Sequence, residues 1–146
     1  MLFTKVSIHT VAHLEAPCTV SSSEIASRLA NTLKRVHLPL NVLERMTGIK
    51  ERRFWSGDTQ PSDVATEVAE KVIQKSGLSK SDIGAIISTS ITKDFIEPSI
   101  ASIVHGNLKL APECINFDVG SACLGFLNGM QVAASMIEAG LLKHVL

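Results

Sequence analysis

The chain has 146 residues, of which 45% are hydrophobic and 19% charged, so it can bury one compact core and lacks the charge excess of a disordered protein. Its 14 basic and 14 acidic residues cancel, which leaves no overall field to recruit nucleic acid or an anionic membrane. No stretch approaches the roughly 18 apolar residues of a membrane span, and no secretory signal pattern opens the chain, so we expect one cytoplasmic domain.

The first part of the chain predicts one strand and two helices. Residues 2–8 alternate in polarity as a strand does. Ser21 and Glu24 have the spacing of a capping box, which predicts a helix through about Lys34. A second, short helical piece ends at Gly48.

The middle of the chain alternates between helix and strand. Residues 62–63 can cap an amphipathic helix that Gly77 ends. The run AIISTS at 85–90 is apolar and of strand length, which suits a strand covered on both faces. Pro98 then permits a helix start, and the pattern at 99–108 is helical.

A further strand is predicted at Cys114–Val119, followed by a long apolar helix to Glu138. Gly140 ends that helix, and KHVL at 143–146 resembles the beginning of another strand. Strands that alternate with helices of this length predict an α/β fold, with a mixed, mainly parallel sheet flanked by helices. Because the last strand would only be starting at KHVL, we expect the chain to be a fragment of a longer protein.

The residues between this strand and helix form a tight turn that ends on Cys123. The arrangement resembles a nucleophile elbow, which presents a reactive side chain at the start of a helix. Unpaired N–H groups and the positive end of the helix dipole favour a thiolate there, and the same N–H groups can stabilise an oxyanion. Cysteine is also a common buried hydrophobe, as we expect for Cys114, and position alone does not decide between the two interpretations of Cys123.

Small residues recur at four-residue intervals along one face of the helix that follows, at Gly125, Gly129 and Ala133. This spacing lets another backbone approach closely. Packing on the sheet and packing against a missing second half both remain open. Since the helix is apolar nearly all round, we expect it to lie inside the protein.

The segment NFDVGSACLGFLNGMQVAASMIEAG resembles the active-site region of the ketoacyl synthase III branch of the thiolase superfamily. The segments LERMTGIKERRFW, PSDVATEVAE and ISTSITKDFIEPSIASIVHGNL extend the resemblance over essentially the whole chain. Within that branch, KDFIEPSIAS and SACLGFLNGM are most similar to the condensing enzymes of the olefin pathway, the OleA type.

The resemblance implies a thiolase-like protein with two similar halves that pairs as a homodimer, of which residues 1–146 would be the N-terminal half. Cys123 would be the nucleophile, acylated by acyl-CoA before a carbanion from a second acyl thioester attacks it. Glu97 stands where the OleA type has a glutamate that acts as a base across the dimer. Without the resemblance, a surface carboxylate that caps a helix would be the favoured interpretation of Glu97, and only the family match reverses that preference.

Other members of the site are less well matched. A histidine and an asparagine that polarise the second thioester would come from the second half. Lys50, Arg52 and Arg53 form a basic cluster that could bind CoA phosphates or an acyl carrier protein, although a solvated loop face explains them too. Val42 and Met46 stand where fatty-acid-initiating synthases hold the CoA adenine with other residues, which weakens a transferred CoA site.

No metal site and no cofactor beyond the CoA thioester substrate are expected. The histidines lack partner residues and are interpreted as structural or surface groups, and the three cysteines suggest neither a disulfide framework nor a zinc site. Three hypotheses follow: an acyltransferase that condenses two acyl-CoA molecules, a decarboxylating synthase III that uses malonyl carrier protein, and a non-catalytic dimerisation or assembly module.

Overall fold

The structure, a computed structural model, describes residues 3–146, which divide into two compact units. The larger unit is formed by residues 3–14 and 60–146, and the smaller by Glu15–Thr59. Each unit has a hydrophobic cluster of its own. In the part of the chain that is described, no helix has the length and apolar character needed to cross a bilayer.

The smaller unit combines two short strands with three short helices. Strand β1 (Cys18–Ser21) pairs antiparallel with β2 (Glu51–Phe54). The helices are α1 (Ser22–Arg28), α2 (Ala30–Arg35) and α3 (Val42–Thr47). Their apolar faces meet in a small cluster of Ala26, Leu33 and Val42.

The predicted N-cap is confirmed, because the Ser21 side chain accepts a hydrogen bond from the Glu24 N–H at 3.0 Å. The Glu24 carboxylate is engaged elsewhere, in an ion pair of 2.6 Å with Arg28. The single helix predicted to run to about Lys34 is broken at Leu29, whose φ of −97° and ψ of 8° leave the helical region. The predicted end of α3 at Gly48 is confirmed, with Gly48 at a φ of +70°.

In the larger unit, β3 (Ala85–Ser88) and β4 (Ile115–Asp118) pair in parallel, as the sequence predicts. The opposite edge of β3 is joined by the last residues of the chain. Leu146 donates its N–H to the Ala85 carbonyl at 2.9 Å and accepts from the Ile87 N–H at 2.8 Å. The predicted start of a strand at 143–146 is therefore confirmed as a parallel bridge.

Three helices flank this sheet: α4 (Pro61–Ser76), α5 (Ile100–Leu108) and α6 (Gly125–Glu138). Ile86 is buried in one cluster with residues of α4 and α5, whereas Ile87 lies beside Gly129 of α6. Because successive side chains of a strand point to opposite faces, α5 and α6 cover opposite faces of β3. The main core comprises Ala69, Ile73, Ile83, Ile86, Ile100, Ala101, Val104, Leu108, Leu110 and Cys114.

The ends of α4 and α5 lie where the sequence predicts them, except that the N-cap of α4 is two residues earlier than expected. Helix α4 is capped by Gln60, whose N–H donates to the Asp63 carboxylate at 3.3 Å, rather than by residues 62–63. Gly77 ends α4 at a φ of +73°, as predicted. Ser99 caps α5 and accepts from the Ser102 N–H at 3.1 Å.

The strand predicted at residues 2–8 is wrong for residues 3–8, and Leu2 lies outside the described residues. This segment pairs with no strand of the described chain, and side chains hold its backbone instead. The Glu138 carboxylate accepts from the N–H groups of Thr4 at 3.0 Å and Lys5 at 2.9 Å. The hydrogen bonds from the Lys5 N–H and the Thr4 hydroxyl lower the pKa of the Glu138 carboxyl.

Helix α6 approaches the end of β3 closely, through two residues that lack a side chain. A Cβ built on Gly125 would lie 2.8 Å from the Thr89 carbonyl oxygen, and one built on Gly129 would lie 2.5 Å from the Thr89 methyl carbon. Of the two interpretations of the small-residue spacing, packing on the sheet is thus confirmed for both glycines.

The opposite face of α6 is exposed in this chain, and the expectation that the helix lies inside the protein stays a prediction for that face. Phe126 is 66% exposed and Leu127 60% exposed, whereas the buried residues of α6 are Gly125, Gly129 and Ala134. The apolar composition of α6 indicates that both of its faces can be buried. Within residues 3–146, however, nothing covers the face that carries Phe126 and Leu127.

Replacing Gly125 by Ala should destabilise the chain by about 1–3 kcal/mol, because the added methyl group meets a carbonyl oxygen that cannot move without shifting backbone. The matched control is Gly106→Ala in α5, where a Cβ would meet nothing within 4 Å. That change should stabilise the helix by roughly 0.5–1 kcal/mol. Urea unfolding measures both, and equal stability of the two variants would contradict the close-approach argument.

Candidate active site

Cys123 lies on the turn that connects β4 to α6. The strand ends at Asp118, and the Val119 N–H donates to the Ser88 carbonyl at 2.8 Å, which holds the turn against the end of β3. A 3₁₀ turn over Ala122–Leu124 then leads directly into α6. Cys123 is thus in this 3₁₀ turn, one turn earlier than the predicted first turn of the long helix.

The residue before the cysteine adopts a strained backbone. Ala122 has a φ of +45°, a left-handed conformation that costs a residue with a Cβ about 1–2 kcal/mol. Strain of this kind persists where the surrounding structure enforces it, and it is concentrated at functional sites. Here the hydrogen bond from Val119 and the close packing of Gly125 enclose the turn on both sides.

The turn presents the Cys123 thiol outwards. Cys123 is exposed, and the first N–H groups of a 3₁₀ turn, here those of Ala122 and Cys123, have no partner inside the turn. The positive end of the α6 dipole begins two residues later, at Gly125. The arrangement can therefore bring an acyl carbonyl to the sulfur and offer main-chain donors to the oxygen of that carbonyl.

Cys114 provides the contrast. It is 4% exposed within the main core, and burial raises the pKa of its thiol. Its interpretation as a small buried hydrophobe is confirmed. Cys18, on β1 of the smaller unit, is exposed.

Glu97 lies in the segment of residues 89–99 that connects β3 to α5. It is exposed, its peptide bond to Pro98 is cis, and Ser99 immediately caps α5. The two residues before it are apolar and strongly exposed, Phe95 at 60% and Ile96 at 92%. The structure therefore holds the carboxylate in an exposed segment, next to two exposed apolar residues, rather than on the helix cap, which Ser99 provides.

The predicted basic cluster is divided by the alternation of β2. Arg52 donates to the Ser22 hydroxyl at 2.9 Å, while Arg53 donates to the Ala16 carbonyl at 3.0 Å. Consecutive strand residues face opposite ways, so these two guanidinium groups do not form one patch. Lys50 is exposed at the start of the strand. A role of the three in substrate binding stays a prediction.

Two of the histidines have structural contacts. The His9 ring Nε2 lies 3.2 Å from the Ser76 carbonyl oxygen, and the His105 ring Nε2 lies 3.1 Å from that of Ala111. Within residues 3–146, no group of three or more His, Cys, Asp or Glu side chains is arranged to hold a metal ion.

One ion pair in this part of the larger unit could not be predicted from the sequence. Lys93, in the 89–99 segment, lies 3.0 Å from the carboxylate of Asp118 at the end of β4. An apolar cavity of about 1000 Å³ also opens in the larger unit, between α4, α6 and the edge of β3. Cys123 is not among its lining residues.

Comparisons with known proteins agree with the resemblance read from the sequence. The family described as 3-Oxoacyl-[acyl-carrier-protein (ACP)] synthase III matches residues 117–146. The chain is 45% identical over its whole length to an acyl-CoA:acyl-CoA alkyltransferase of Xanthomonas campestris, of which it covers 43%. It is 44% identical over 68% of its length to a β-ketoacyl-[acyl-carrier-protein] synthase III of Fusobacterium nucleatum, of which it covers 30%.

A solved structure of Xanthomonas campestris OleA, a cysteine-to-serine variant with bound lauric acid and lauroyl-CoA, superposes with a TM-score of 0.89. The two sequences are 44% identical. The superposed region covers 99% of this chain and 43% of the OleA chain. The predicted thiolase-like α/β fold and the resemblance to synthase III-like condensing enzymes are confirmed. The chain spans less than half the length of these relatives.

The two exposed thiols should react with iodoacetamide in the native chain, while Cys114 should not. Because burial raises the pKa of Cys114, its thiol stays protonated at a pH where an ordinary cysteine has begun to ionise. Peptide mass spectrometry at pH 8, with and without urea, gives the measurement. Labelling of Cys114 at a rate similar to Cys123 without urea would contradict the structure.

Proposed function

We propose that this chain supplies the acyl-carrying cysteine of an acyl-thioester condensing enzyme of the OleA type. The observation that carries the proposal is the exposed thiol of Cys123, on a strained turn between a parallel strand and a core-facing helix. That geometry occurs in a chain similar over its full length to an acyl-CoA:acyl-CoA alkyltransferase. Acyl-CoA is accordingly the proposed first substrate.

In the first half-reaction, the Cys123 sulfur attacks the thioester carbonyl of an acyl-CoA. A new sulfur–carbon bond forms, the bond to the CoA sulfur breaks, and CoA leaves as a thiol with the proton that the cysteine gives up. Main-chain N–H groups of the turn stabilise the negative oxygen of the tetrahedral intermediate. The product is an acyl-cysteine.

In the second half-reaction, a base removes the proton next to the carbonyl of a second acyl thioester. The resulting carbanion attacks the acyl-cysteine carbonyl, the cysteine sulfur leaves, and a β-ketoacyl thioester is released. Glu97 is the proposed base. Its exposed apolar neighbours Phe95 and Ile96 would exclude water from the carboxylate once another surface covers them.

The spacing of the two residues supports these roles. Solved variants of Xanthomonas campestris OleA include one with a substituted glutamate and one with a substituted cysteine 26 positions later, the separation of Glu97 and Cys123 in this chain. A further variant of that protein substitutes a histidine far beyond the cysteine, outside the stretch that this chain matches.

Completion of the site is also a proposal. We place the histidine and asparagine that polarise the second thioester in a C-terminal half beyond residues 1–146, and we propose a cytoplasmic homodimer in which Glu97 serves the partner subunit's site. Lys50, Arg52 and Arg53 are retained as a proposed contact for CoA phosphates or for an acyl carrier protein.

The alternative enzyme is a synthase III that forms the carbanion by decarboxylating malonyl carrier protein. It is less well supported, because the synthase III of Fusobacterium nucleatum matches 68% of the chain whereas the alkyltransferase matches all of it. A non-catalytic assembly module is less well supported still, since such a module has no use for a strained turn that exposes a thiol.

The 146-residue chain should acquire one acyl group slowly when it is incubated with lauroyl-CoA, and it should not turn over. Intact-mass spectrometry should detect the adduct in the native chain and in Cys114→Ala, but not in Cys123→Ala. Cys18→Ala is the matched control, because Cys18 is also exposed. An adduct that survives in Cys123→Ala would refute the assignment of the nucleophile.

The full-length enzyme should condense acyl-CoA in the absence of any malonyl thioester. Glu97→Gln should abolish condensation while acyl-cysteine still accumulates, since the amide cannot take up the proton. Product analysis by mass spectrometry measures both steps. A strict requirement for malonyl carrier protein would favour the synthase III alternative.

A further inference from the structure

The segment of residues 89–99, which carries Glu97, is held in place by the side chains of two consecutive residues, Lys93 and Asp94. The Asp94 carboxylate accepts from the Ser62 N–H at 3.0 Å, which ties the segment to the first turn of α4. The ammonium group of Lys93 lies 3.0 Å from the Asp118 carboxylate, which ties the segment to β4. Both contacts are made by residues that precede Glu97 by no more than four positions.

Asp118 is the centre of this arrangement. Its side chain is 7% exposed, and besides Lys93 it accepts from the N–H groups of Ile100 at 3.2 Å and Ala101 at 3.0 Å. Those two N–H groups belong to the first turn of α5, where helical donors lack partners and the dipole favours an anion. One buried carboxylate is thus compensated by a cation and two main-chain donors.

The same residue leads directly into the cysteine turn. Asp118 is the last residue of β4, and the next residue, Val119, is bonded to Ser88 at the end of β3. The 89–99 segment departs from β3 at this point, and the turn of Cys123 departs from β4 beside it. The ion pair between Lys93 and Asp118 joins the two departing segments.

We propose that Lys93 and Asp118 are positioning residues, which hold the Glu97 segment on the sheet of its own subunit and thereby set where the Glu97 carboxylate enters the partner subunit's site. This inference rests on the proposed function, because it assigns the ion pair to the step in which Glu97 acts. Neither residue touches the reacting atoms. Their effect is to narrow the range of positions that the Glu97 carboxylate occupies.

The consequence is an unequal effect on the two half-reactions. Without the Lys93 ammonium, the segment keeps the Asp94 contact. Its remaining tie to Asp118 is then through the first two residues of α5. Acylation uses Cys123 and the turn, whereas proton removal also needs Glu97 in place. Misplacement of a catalytic group by about 1 Å can cost on the order of a hundredfold in rate.

The test is made in the full-length enzyme with Lys93→Met, Lys93→Arg and Asp118→Asn. Single-turnover release of CoA measures acylation, and β-ketoacyl product measures condensation. We expect Lys93→Met and Asp118→Asn to lower kcat for condensation roughly tenfold more than the acylation rate, with a smaller change in KM. Lys93→Arg, which keeps the positive charge, should recover most of the loss.

Lys80→Met is the matched control, because Lys80 forms a surface pair with Glu70 at 3.2 Å, away from the cysteine turn. It should leave both half-reactions unchanged. In the 146-residue chain, hydrogen exchange at residues 91–97 should accelerate in Lys93→Met and not in Lys80→Met. If Asp118→Asn does not fold, as judged by circular dichroism, the two Lys93 variants decide the question.

The outcomes separate the inference from the function on which it rests. If Glu97→Gln abolishes condensation and Lys93→Met slows both half-reactions equally or neither, the positioning role is wrong and the proposed function stands. If Glu97→Gln condenses acyl-CoA normally, the proposed function itself fails. Failure of Lys93→Arg to recover activity would show that the charge of the pair is not what positions the segment.

Discussion

The close approach of α6 to the end of β3 is the constraint on which the candidate site depends. Because Gly125 has no side chain, the first turn of α6 can press against the Thr89 carbonyl, and Gly129 extends the contact one turn further. The chain between β4 and α6 must then reverse within a few residues. That short connection forces Ala122 into a left-handed conformation and turns Cys123 outwards.

The elements with strong local signals could be predicted from the sequence. Strand β3 begins with the apolar run Ala85–Ile87, and β4 contains the strand-favouring residues Ile115 and Phe117. Gly77 and Ser99 are helix-ending and helix-starting residues whose roles are local. Strands β1 and β2 could not, because each is four residues long and the second is largely charged. Their pairing joins parts of the chain that are distant in sequence, and no local pattern reports such a contact.

In the candidate site, too, local features could be predicted from the sequence, whereas features that depend on strand pairing could not. Cys123 could be located because a strand-to-helix turn rich in small residues is a local pattern. The opposite orientations of Arg52 and Arg53 could not be predicted, because two adjacent basic residues suggest one charged patch. Only their position in a β-strand shows that the two side chains point to opposite faces. The partnership of Lys93 with Asp118 could not be predicted either, because only the parallel pairing of β3 and β4 brings those positions together.

The bare side of α6 and the neighbouring apolar cavity have a practical consequence for anyone who handles the 146-residue chain. Fluorescent dyes such as ANS bind accessible hydrophobic surface and are commonly used to diagnose loosely packed, partly denatured states. This chain offers such surface while the residues of its main core are buried. A bright dye signal is therefore no sign of misfolding here, and near-ultraviolet circular dichroism is the better criterion of native packing.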